Sequence, residues 1–73
     1  MNPGDFVTVD YSVPLWKNMA NSGLPGQRGV FTTNDVAIIV CVLRINHTHY
    51  VQMLVLMNDK LGWIDNLAAL RKL

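Results

Sequence analysis

The sequence predicts an all-β fold: a small five-stranded barrel with a long first loop and a short C-terminal helical turn, occupying residues 1–73 as a single domain. Three observations carry this. Apolar and polar β-formers alternate with period two from Asp5 to Tyr11. Turn-forming residues at Asn34-Asp35, Asn46-His47-Thr48 and Asn58-Asp59 separate further apolar runs. All five acidic residues are Asp and none is Glu, a choice that suits turns and caps better than helix interiors.

The first strand places Val7, Val9 and Tyr11 on one face, with Thr8 and Asp10 on the other. From Ser12 to Gly29 the alternation dissolves into Pro, Gly, Asn and Ser, so a loop is expected there. Loops of that length are usually functional or disordered. Leu15, Trp16 and Met19 within it argue that part of the loop folds back on the body. Val30 to Thr33 resumes as a short strand.

Val36 to Arg44 follows, apolar on both sides, with Val36, Ile38, Val40 and Val42 on one face and Ala37, Ile39, Cys41 and Leu43 on the other. Such a strand is either central or covered on its outer face. Tyr50 to Met57 and Leu61 to Ile64 complete the set as a hairpin. Asp65 is the expected N-cap of the final helical turn, where Leu67 and Leu70 share a face and Arg71 and Lys72 suit the C-terminal end of the helix dipole.

Composition narrows the function classes. A domain of this size buries only about 60% of the surface its unfolded chain exposes. The chain is 51% hydrophobic and 15% charged, against roughly 25% charged in an average domain. The surplus apolar surface predicts a protein partner or a homo-oligomer. The formal charge is +1, and the six basic residues are scattered, which argues against a dedicated nucleic-acid surface. Cys41 is expected to be a buried free thiol acting as a small hydrophobe. No signal peptide and no membrane-spanning run are expected, and a cytoplasmic location follows.

Gly4-Asp5-Phe6-Val7-Thr8-Val9, Gly29-Val30, and Val55-Leu56 through Asp59, Gly62-Trp63-Ile64, with Leu67 and Leu70 after them, resemble small stand-alone Src-homology-3-like barrels of tailed bacteriophages and environmental bacteria. The matching pieces cover about half of the chain. A turn glycine and an aromatic residue common in that group's closing hairpin are absent, with Met57 at the aromatic position. The resemblance implies the barrel fold; most members have no assigned activity, and the host cytoplasm or the virion is the implied location. A looser similarity to peptide-binding Src-homology-3 domains rests on Val9-Asp10-Tyr11 and Gly62-Trp63. It implies a proline-rich peptide ligand, against which stand the missing paired tryptophans and a loop from Ser12 to Gly29 without Asp or Glu.

No spacing joins a nucleophile to a base, and Gly23 to Gly29 lacks the lysine and hydroxyl of a phosphate loop, so no enzyme, cofactor or metal is expected. His47 and His49 read as turn residues, because a structural zinc site needs about four ligands. The expected interaction surface is aromatic: Tyr11, Trp16 and Trp63. Trp63 is also expected to cover one end of the barrel, its N–H paired to a backbone carbonyl. The expected oligomer face is Ile39, Cys41 and Leu43, and an alternative nucleic-acid surface would use Lys17, Arg28 and Lys60.

Overall fold

The computed structural model describes residues 1–18, 26–44 and 51–73. The strands among them are β1 (Phe6–Val9), β2 (Val13–Trp16), β3 (Gln27–Phe31), β4 (Ala37–Arg44), β5 (Val51–Met57), β6 (Lys60–Ile64) and β7 (Leu70–Lys72). They form one antiparallel sheet in the order β3-β2-β6-β5-β4-β1-β7, curled into a half-barrel. The all-β expectation stands, with seven strands among the described residues rather than five. Met19, the 45–50 connection and both histidines lie outside the described residues.

The two extra strands come from segments that read as something else. Val13 to Trp16 and Gln27 to Phe31 pair antiparallel, so both described ends of the expected loop contribute to the sheet. Lys17 N–H donates to Gly26 O at 2.7 Å and closes its inner end. At the C-terminus the expected helical turn reduces to one 3₁₀ turn at Leu67–Ala69 that stops short of Arg71 and Lys72, and Leu70–Lys72 leave it as β7 against β1. Asn66, not Asp65, occupies the cap position, and it makes no side-chain cap bond. Arg71 and Lys72 therefore lie on a strand, where Arg71 pairs with Asp10 at 3.0 Å and Lys72 with Asp5 at 3.7 Å.

The core lies in the concave side. Val7 and Val9 of β1, Val13 and Leu15 of β2, Phe31 of β3, Ile39 of β4, Val55 of β5 and Ile64 of β6 are each at most 2% exposed. The alternation in β1 fails at Thr8, which is also buried. Its Oγ1 donates to Asp35 O at 2.8 Å, so the turn before β4 covers it and meets its polar atom.

That turn is built around the Asp35 carboxylate, which accepts from both the backbone N–H and the Oγ1 of Thr32 at 2.9 Å. These two bonds, with a smaller contribution from the Asn58 side chain, hold its pKa below the ordinary carboxyl value against the opposing effect of burial. Asn58 and Asp59 form the expected two-residue hairpin turn, with φ of 49° and 64°. Both signs are those of a type I′ turn, whose twist matches the flanking strands.

β2 joins the main sheet through one register pair, Trp16 opposite Trp63. Pro14 brings no N–H to the ladder, which limits how far β2 can zip onto a neighbour. Packing compensates. Gly62 is buried opposite Val55, and a Cβ at that position would overlap Leu15 Cγ and both Leu15 Cδ atoms. Leu15 thus fills the space that a side chain at 62 would take.

Two outcomes test this account. Gly62→Ala is expected to destabilise the protein by about 1–3 kcal/mol through overpacking. Combined with Leu15→Ala, the loss in a denaturant melt should be smaller than the sum of the two single losses, because the new methyl enters the vacated space. The second outcome concerns acid. A carboxyl whose folded pKa lies below its unfolded value stabilises the fold above the unfolded pKa, near 4, and ceases to do so as pH falls through the folded one. Urea melts from pH 7 to pH 2.5 should show that loss below about pH 4, and Asp35→Asn should flatten it.

Candidate functional site

Sheet register decides which side chains share the outer face. Phe6 stands opposite Ile38, Ile38 opposite Leu56, and Leu56 opposite Leu61. Residues directly opposite on neighbouring strands point to the same side. Leu73 N–H donates to Phe6 O at 3.0 Å and continues the register in which Val7 meets Lys72. One apolar row therefore crosses β7, β1, β4, β5 and β6: Leu73, Phe6, Ile38, Leu56 and Leu61. At about 4.8 Å per strand it is about 19 Å long. It lies open to solvent, with Phe6 56%, Leu61 48% and Leu56 38% exposed.

A second row runs beside it, two residues along β5 and β6 and three along β4. Cys41 meets Leu54, Leu54 meets Trp63, and Trp63 meets Trp16. A β-bulge lies at each end of this row. In β4, Ile39 pairs with Val55 and Cys41 with Leu54, leaving Val40 as the extra residue; in β3, Arg28 is extra between Gln27 and Gly29. Bulges re-aim the side chains that follow them.

The bulge at Val40 redistributes the expected oligomer face. Ile39 is only 1% exposed and belongs to the core, whereas Cys41 is exposed and Leu43 half-buried. The phase of β4 changes at Val40, so Ala37 and Ile39 point inward before it and Val42 packs on the core after it. Cys41 is accordingly a surface thiol and not the buried one expected. Val40 itself is 45% exposed.

Of the expected aromatic surface, the structure brings Trp16 and Trp63 together as cross-strand neighbours, both half-buried. Trp16 Nε1–H donates to Asp65 Oδ1 at 3.2 Å, so the fixed indole is that of Trp16, and the role of Asp65 is to hold it. Trp63 sits in the second row on the outer face rather than over the end of the barrel. Tyr11 is 50% exposed at the bend before β2, beyond the end of that strand opposite to Trp16.

The three residues of the alternative basic surface are exposed but spread. Lys17 lies at the bend after β2 with its stem over Gly26, Arg28 is the bulged residue of β3, and Lys60 opens β6 beside the Asn58-Asp59 turn. The sequence reasoning missed Phe6, Leu56, Leu61 and Leu73 as surface residues. Period two from Val7 signals Phe6, but placing it beside Leu56 and Leu61 requires the β1–β4 and β4–β5 registers.

Among the described residues no group of three or more His, Cys, Asp or Glu side chains is placed to hold a metal ion. No helix there is long and apolar enough to cross a membrane. No family model, curated protein or solved structure matches the chain.

The Trp16–Asp65 contact gives a direct test. Asp65→Ala should destabilise the protein by about 1 kcal/mol, the usual worth of one partly buried hydrogen bond. Tryptophan emission should shift to the red before the global melt if β2 loosens from β6. Unchanged stability and emission would show that the contact contributes nothing.

Proposed function

We propose that this protein is a non-enzymatic interaction or assembly module, a small Src-homology-3-like barrel that works through the apolar outer face of its sheet. The observation that carries the proposal is the row Leu73, Phe6, Ile38, Leu56 and Leu61, five apolar side chains in register on four neighbouring strands and the residue that follows β7. An antiparallel sheet with a single buried face normally sets polar residues on the other, and a contiguous exposed apolar patch marks an interaction site more often than an accident of composition.

The barrel reading is supported by the curled antiparallel sheet, by the 3₁₀ turn that separates β6 from a last strand on β1, and by the β2–β3 hairpin inserted after β1. A phage or environmental bacterial source and a cytoplasmic or virion location belong to the same proposal.

A second reading, binding of single-stranded nucleic acid, is favoured by the Trp16–Trp63 pair, because bases stack on aromatic platforms. Arg28 and Lys17 would supply phosphate contacts there. The apolar row ranks above it because Leu73, Phe6, Leu56 and Leu61 are exposed, while the tryptophans are half-buried.

The two readings separate in one set of measurements. At a concentration low enough to keep it monomeric, the folded wild type should enhance the fluorescence of an apolar dye such as anilinonaphthalene sulfonate, and Phe6→Lys and Leu61→Lys should lose that enhancement while remaining folded. A folded, monomeric wild type that leaves the dye dark removes the apolar face as the acting surface. Salt-dependent binding of single-stranded DNA, lost in Trp16→Ala or Arg28→Ala, would install the second reading instead.

A further inference from the structure

We propose that the occupant of the outer face is a second copy of this chain, packed sheet on sheet across the two apolar rows. The inference rests on reading that face as a contact surface and adds the identity of the partner.

Three features of the face select a copy over an unlike partner. The first is the lack of charge: Leu73, Phe6, Ile38, Leu56 and Leu61 in one row and Cys41, Leu54, Trp63 and Trp16 in the other carry none. The charges nearest the rows on β1 and β7 are already in intramolecular pairs, Asp10 with Arg71 and Asp5 with Lys72. Specific recognition of an unlike protein draws on electrostatic complementarity for steering and register, and these rows offer none. The second is scarcity of polar groups. The Trp16 indole N–H is engaged by Asp65, which leaves the Trp63 indole N–H and the Cys41 thiol as the polar groups of the second row. The rest is non-directional apolar attraction, which an identical face satisfies as well as any other.

Extent is the third feature. The first row is about 19 Å long, and the rows stand about 7 Å apart along the strands. With side chains standing off both rows, the apolar surface is on the order of 400 Å², which suits the apolar centre of a standard interface of about 800 Å² per partner with a polar rim around it. Two sheets packed face to face sit about 10 Å apart with their side chains interdigitating. A two-fold arrangement places the same patch on both subunits, so the association closes at two copies.

Sedimentation equilibrium across the micromolar range, with thiol labelling of Cys41 on the same samples, tests this. The expected result is a mass twice that of one chain, and Cys41 labelling that slows as protein concentration rises because the thiol is covered. Leu56→Lys, at the centre of the first row, should give a folded monomer whose Cys41 labels at a rate independent of concentration. Leu61→Lys, on another strand, provides the same reading should the first variant fail to fold.

A wild type that stays monomeric throughout overturns the proposal. If that monomer still brightens the apolar dye in a manner lost in Leu61→Lys, the contact-surface reading survives and only the copy is excluded; if the dye stays dark, both fall. A dimer that persists in both folded lysine variants, with Cys41 labelling unaffected by concentration, also overturns it, since the contact then lies elsewhere.

Discussion

The approach of Leu15 to Gly62 holds the two parts of the sheet together. One part is the meander β5-β6 with β4, β1 and β7; the other is the β2–β3 hairpin. Between them the ladder supplies one register pair, Trp16 with Trp63. A strand held by so short a ladder and containing a proline would swing as a flap, taking Val13, Leu15 and Phe31 away from Val55 and Ile64. The missing Cβ of Gly62 lets Leu15 sit against the backbone of β6, where nothing bulkier could stand, and so converts a weak hydrogen-bonded joint into a packed one. The buried Phe31 and Val13 follow from that joint.

The same joint sets the outer surface. Because Leu15 is pinned inward, Trp16 must project outward beside Trp63, and Asp65 then fixes the indole. Glycine on the inside and tryptophan on the outside of β6 are therefore two sides of one arrangement. Gly62 makes room for the hairpin, and Trp63 receives its next residue. The apolar outer face inherits this order, for the second row extends from β4 to β2 only because the hairpin is seated.

Much of the sheet was legible in the sequence, and the parts that were not have identifiable physical causes. β1, β4, β5, β6 and the Asn58-Asp59 turn follow from alternation and turn chemistry, since Val7, Val9 and the Val51 to Met57 run need no tertiary information. β2 was hidden because Val13-Pro14-Leu15-Trp16 is short and carries a proline; of β3 the Val30-Phe31 end was expected, and its start was hidden because Gln27-Arg28-Gly29 has no apolar alternation before Val30. Leu70-Arg71-Lys72 satisfied the pattern of a helix end as well as that of an edge strand, and pairing with β1 decided between them. At the candidate site, the pairing of Trp16 with Trp63 depended on that hidden hairpin. The placing of Ile39 in the core and Cys41 at the surface could not be seen, since β4 is apolar on both sides and a bulge leaves no trace in such a run.

That bulge bears on how the chain finds its register. A one-residue slip in an ordinary strand drives polar side chains into the interior and is rejected at once. From Ala37 to Leu43 a slip would exchange one aliphatic set for another, so composition alone scarcely penalises the wrong parity. The rejection has to come from shape, with Val40 expelled where Ile39 fits against Val55 and Val42 against Met53. The β4–β5 hairpin is therefore the segment where mispaired intermediates would be longest lived, and where proofreading of the fold rests on steric fit instead of polarity.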